Sequence, residues 1–310
     1  MLNGANTYTG ITKWNNNSTT IMGNASAFGT STLNFDAGSP NTIKAGTDLT
    51  GANKLTNPVI FGNNPTLKND LGYNLEFGGA VSLTGTRTLT TNTGTTTFSG
   101  SIGETTGGAG LSLARTNDGP GAHTYTGNTT VESGTLTLGS AITLQAATGA
   151  LIVTGGALAT SVAATTVGGH IIFSGGALSL NDNSAGSLTL TAGQNFSMSG
   201  GTLTLTLGSS YDQIVSVGSG ILGLSGGTIT FDTGGAGFSY SSAYQIFSGF
   251  GSTSFSSLTL SGYDTTNYLA SISSSGQLSF AAAAIPEPST YAACLGGLSL
   301  TWAWRRRKPA

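Results

Sequence analysis

The feature that most restricts this chain is a strict alternation of Leu with Thr, bounded by small turn residues. In GTLTLGS (134–140), GSLTLTAG (186–193), GTLTLTLGS (201–209) and SSLTLSG (256–262), Leu takes every second position and Thr the places between. Successive side chains of a strand point to opposite faces, so Leu lines one face and Thr the other. Thr is β-branched and suits a pleated, solvated surface, while the flanking Gly and Ser are turn residues. Such a chain has the period of strands; a helical apolar stripe is absent until its closing residues.

The strands recur at a longer period. A Gly followed by a small and an aliphatic residue appears as SGTL at Gly134, GGAL at Gly156, GGAL at Gly176, GGTL at Gly201 and GGTI at Gly227, at similar intervals along the chain. One such unit is too short to bury its own Leu face, but stacked units share a core. The predicted fold is therefore all-β, a parallel β-solenoid whose coils pair at about 4.8 Å. Proline agrees: none falls between Pro120 and Pro286, as continuous ladders require.

Composition sets the limits of function. Only 7% of the 310 residues are charged, against 37% hydrophobic, which does not fit the highly charged type of disorder. The net charge of -2 includes four basic residues at 305–308; without them 6 basic face 12 acidic residues, or -6. A mildly acidic body argues against nucleic acid as a partner, since phosphate binding needs clustered Lys and Arg. Cys294 is the only cysteine, so neither an intramolecular disulfide nor a Cys-based zinc site is available.

Three zones follow. Residues 1–120 form an irregular N-terminal solenoid region, with Pro40, Pro58 and Pro65 and many Asn. Residues 121–280 hold the regular repeats and then a run of aromatics, Phe238 to Phe280, which read as a cap over the end of the core or as further coils with larger side chains. Residues 281–310 are a tail ending in a short apolar helix, Tyr291 to Trp304, and a basic cluster. That run falls short of the ~20 residues needed to span a bilayer, and Arg305, Arg306 and Arg307 would stay cytoplasmic. The opening MLNGANTYTGITKWNNN has neither the basic start nor the apolar core of a secretory signal, so an upstream start is expected.

Two resemblances sharpen this reading. HTYTGNTTVESGTLTLGS (123–140) resembles the autotransporter-associated β-strand repeat of bacterial surface proteins, and GANTYTGITKW (4–14) is similar to a partial copy. That likeness implies a solenoid exposed outside the cell. The tail resembles the PEP-CTERM sorting signal: Pro286, Glu287 and Pro288, then Ser289 and Thr290, an apolar span, and Arg305 to Lys308. This second likeness implies recognition by an exosortase, a membrane cysteine peptidase that removes the tail after transient contact with the inner membrane of a Gram-negative-type bacterium.

Chemistry is sparse. Candidate carboxylates in the repeat zone are Asp118, Glu132, Asp182, Asp212 and Asp232, which do not recur at coil spacing and read as solvated turn residues. His123 and His170 read as turn or strand-edge positions. NDNSAG (181–186) places Asn181, Asp182 and Asn183 before a Gly but lacks the spaced acidic ligands of a calcium loop. No catalytic, cofactor or metal residue is assigned. The expected function is an exported structural or adhesive protein of the cell surface or matrix, with extracellular polysaccharide as its ligand. The alternatives are a polysaccharide lyase or glycosidase on the same scaffold, and an autotransporter passenger fragment; the latter fits less well because the chain closes in RRRKPA rather than in a barrel strand.

Overall fold

The computed structural model describes residues 1–284 except 16, 37–40, 69–70, 92–94, 106, 115–123, 139–148, 161–163 and 181–184. The chain is a parallel β-solenoid. Its spine is an eleven-stranded sheet that runs from Thr19–Met22 to Ser252–Phe255 and crosses both the N-terminal and the repeat regions. A five-stranded sheet, from Ile11–Trp14 to Ile102–Glu104, forms a second face of the N-terminal coils. In the repeat region that role passes to a six-stranded sheet, Thr135–Leu138 to Thr259–Ser261, and a four-stranded sheet that begins at Ala164–Val167.

Strand pairing reproduces the predicted period. Thr135 lies beside Ala157, Ala157 beside Ala177, Ala177 beside Thr202 and Thr202 beside Thr228, so each coil step equals the interval between successive marker glycines. The stack continues one coil further, from Thr228 to Thr259. This register places Leu136, Leu158, Leu178, Leu203 and Ile229 in one column, each no more than 1% exposed. Burying such a column is the main driving force for stacking, at about 1.5–3 kcal/mol per side chain.

The glycine pair at 175–176 illustrates two constraints on such turns. A Cβ on Gly175 would lie 2.2 Å from the Thr154 carbonyl oxygen of the neighbouring coil, so the first Gly permits close approach. The second, Gly176, has φ +70, in the left-handed region that L side chains disfavour.

At the C-terminal end parallel stacking stops. Tyr244–Gln245, Gln277–Ala282 and Tyr268–Ile272 form a small antiparallel sheet. Phe280 on the middle strand meets Tyr240, Tyr263 and Phe238, with ring centroids 5.1, 5.5 and 6.0 Å away. Leu278 beside it is fully buried. The expected apolar helix at 291–304 lies outside the described residues.

Candidate functional site

The sorting residues Pro286, Glu287, Pro288, Arg305, Arg306 and Arg307 lie outside the described residues, as do Cys294, His123, Asp118 and Asp182. Among the described residues no helix is long and apolar enough to cross a membrane. Among the described residues the fold presents outward rows of small polar side chains and a concave corner.

The rows follow from register. Where Leu and Ile form the inner column, the residues between them form outer ones: Thr137, Ala159, Ser179, Thr204, Thr230 and Ser261 stand side by side on consecutive coils. Thr230 Oγ1 and Ser261 Oγ are 3.0 Å apart, a direct hydroxyl contact between coils.

The corner is built by the Thr-Tyr-Thr-Gly-Asn-Thr-Thr run at 124–130. Tyr125 is buried and its hydroxyl bonds to that of Thr129. Thr126 Oγ1 donates to Glu104 Oε1 at 2.7 Å and accepts the Gly108 N–H at 2.8 Å. Gly127 must be glycine in this geometry, since a Cβ would sit 2.4 Å from the Ala109 carbonyl oxygen. Asn128 Oδ1 accepts the Ala150 N–H at 2.9 Å, tying its coil to the next. Between this run and the preceding coil lies a concavity of about 300 Å³, lined in part by Thr86, Leu111, Thr126, Asn128 and Thr130.

Asn128 belongs to a column of side-chain acceptors at the start of the long sheet. Pairing of Thr129 with Leu151, Leu151 with Ile171 and Ile171 with Phe196 makes Asn128, His170 and Asn195 equivalent corner residues. His170 Nδ1 accepts the Asn195 N–H at 2.9 Å, and Asn195 Oδ1 accepts the Ile221 N–H at 2.8 Å. Thr86 occupies the same column, accepting the Gly110 N–H at 3.2 Å. His170 thus opens an inner strand of the long sheet, just after a turn, and its Nδ1 accepts a backbone N–H of the next coil.

The carboxylates are chain fasteners. Asp212 departs from the expected solvated turn, for it is 0% exposed and accepts the N–H groups of Gly186 and Thr206, both at 2.7 Å. Asp232 ends a strand and accepts the Gly234 N–H at 2.9 Å, a local turn bond, whereas Glu132 is exposed. Two carboxylates outside the repeat zone escaped sequence reasoning. Glu76 takes the Gly51 N–H at 2.8 Å, the Ser99 hydroxyl at 2.5 Å and the Lys54 ammonium at 3.6 Å. Burial pushes its carboxyl up, but these three partners outweigh it and hold the group below the usual carboxylate range. Glu104 is likewise lowered, chiefly by the Thr126 hydroxyl and then by backbone N–H groups. The signal that could have found them is spacing, because Glu104 and Thr126, like Glu76 and Ser99, stand one coil apart in the chain.

No family model, curated protein or solved structure matches this chain.

Proposed function

We propose that this is an exported structural or adhesive protein of the bacterial cell surface or extracellular matrix. In this reading the Pro286-Glu287-Pro288 tail is processed by an exosortase-type membrane peptidase, and the solenoid then binds extracellular polysaccharide through its outer faces. The observation that carries the proposal is the in-register row of Thr, Ser and Ala along consecutive coils, from Thr137 to Ser261. Repeated hydroxyls at the ~4.8 Å coil spacing suit weak, repetitive hydrogen bonding to a hydroxylated polymer. The same surface has few charges to demand an ionic partner.

This reading is preferred to a lyase or glycosidase. Glycosidic cleavage uses two carboxylates flanking one bond, whereas Asp212, Glu76 and Glu104 each hold at least two donors of the chain itself. Replacing Pro286, Glu287 and Pro288 together by Ala tests the delivery. In a host with an exosortase the variant is expected to accumulate as an unprocessed, membrane-associated precursor; processing and release at the normal rate would contradict the assignment.

A further inference from the structure

We propose that the concavity beside the Thr-Tyr-Thr-Gly corner is a defined binding site for one neutral sugar residue of a polysaccharide. The inference rests on the surface-protein reading above and gives it a location and a ligand class.

Its volume of about 300 Å³ lies at the lower end of the range for small-molecule sites, enough for a single ring. Its chemistry is that of hydroxyl and amide donors. Thr86 Oγ1 uses an acceptor lone pair on the Gly110 N–H, which leaves its O–H to donate outward. Asn128 commits Oδ1 to the Ala150 N–H; among the described residues its Nδ2 group and the Thr130 hydroxyl are engaged by no other group. Leu111 also borders the concavity, but at 3% exposed it offers little side chain to a ligand, so the polar groups carry the contact. Spare hydroxyl and amide donors in one small concavity match a sugar ring, whose hydroxyl oxygens accept hydrogen bonds.

Charge narrows the class. Glu104 lies one hydrogen bond behind the wall through Thr126, and its carboxyl is held below the usual range, so it is an anion at neutral pH. An anion there repels uronates and other acidic sugars and leaves a neutral ring favoured. The backbone contributes no loose donors to offset this at two of its lining glycines: the Gly108 and Gly110 N–H groups are taken by Thr126 and Thr86. Thr130 faces outward between Ser112 and Ile152 of the adjoining strands, so a polymer running across the coils reaches it without entering the core.

The test titrates the full chain with neutral gluco-, manno- and galacto-tetrasaccharides and with a uronate tetrasaccharide, observed by saturation-transfer NMR and calorimetry. At least one neutral tetrasaccharide is expected to bind, and more tightly than the uronate. Thr130→Trp, which fills the concavity from an outward position, is expected to weaken that binding about tenfold or more, equivalent to about 1.4 kcal/mol. Thr130→Val, which keeps shape and removes the hydroxyl, is expected to weaken it by a smaller factor with unchanged thermal stability. Failure of every neutral tetrasaccharide to bind, or equal binding by wild type and Thr130→Trp, overturns the site. Normal processing of the tail and retention on matrix polysaccharide in that event would leave the surface-protein reading standing. Tetrasaccharide binding without tail processing would instead uphold the site and reject the delivery route.

Discussion

Between Trp14 and Phe98 the core is a file of aromatic rings: Trp14 stacks on Phe35 at 4.9 Å, Phe35 meets Phe61 at 5.4 Å, and Phe77 stacks on Phe98 at 5.3 Å. From Leu136 to Ile229 one face of the core is instead a file of aliphatic side chains. The buried polar groups differ as well. In the N-terminal coils they are mainly asparagines, Asn41, Asn57 and Asn63, and Asn57 Nδ2 donates to the Gly29 and Ser31 carbonyls a coil away. In the later coils they are Thr129, Thr160, Thr165, Ser216 and Asp212.

Neither half is even in coil length. Along the long sheet Thr19 pairs with Thr42, Thr42 with Thr66 and Thr66 with Thr90, in nearly equal steps, but along the five-stranded sheet the step from Leu33 to Val59 is longer than that from Val59 to Val81. The visibly repetitive half varies as well, from the short coil between Ala157 and Ala177 to the long one between Thr228 and Thr259. Stacked rings and amide bonds between coils fasten the N-terminal half, whereas the aliphatic column fastens the later coils. Visible sequence repetition thus marks the strand and its glycine turn, and not the length of the coil.

Substitutions in the two cores sharpen that contrast. Leu136→Asp puts a charge into the aliphatic column and should lower stability by about 4 kcal/mol or more in chemical denaturation. Phe61→Ala removes a ring that contacts Phe35, Phe77 and Phe98 and should cost about 3–5 kcal/mol. An unchanged melting temperature for Leu136→Asp would break the register of the repeat half, and one for Phe61→Ala would break the aromatic account of the other.

A smaller effect separates the halves by pH. Glu76 fastens only the N-terminal coils, and its carboxyl is lowered in the folded state, so its contribution is present above the ordinary carboxyl range and is lost as pH falls through the folded value. Glu76→Gln should therefore cost about 1–2 kcal/mol at pH 7 and flatten the loss of stability between about pH 5 and 3. An equal acid slope in variant and wild type would remove Glu76 from the account.

Much of the fold was legible because strand alternation and turn glycines are local signals. Gly134, Gly156, Gly176, Gly201 and Gly227 predicted the coil steps residue for residue, since each lies immediately before a paired strand. The N-terminal coils were harder to read, because their paired strands are short and mix Phe, Val, Ile and Leu. The fasteners were not legible. Asp212 looks like a turn residue until the chain folds back and brings Gly186, 26 positions earlier, to its carboxylate. Glu104 likewise acquires its partner Thr126 only through stacking, and the corner concavity exists only between two coils. The sorting tail was read wholly from its own motif and lies outside the described residues.

The central claim is that coils stack in parallel with the stated register, and cysteine pairing tests it most directly. In a Cys294→Ser background, Thr137→Cys with Ala159→Cys places thiols on register partners of adjacent strands, about 4.8 Å apart and within disulfide reach. Thr137→Cys with Ala157→Cys is the control, displaced along the strand to the next position on the same face. The account predicts rapid oxidation of the first pair under mild conditions and much slower oxidation of the second. Equal rates, or faster oxidation of the displaced pair, would contradict the solenoid register.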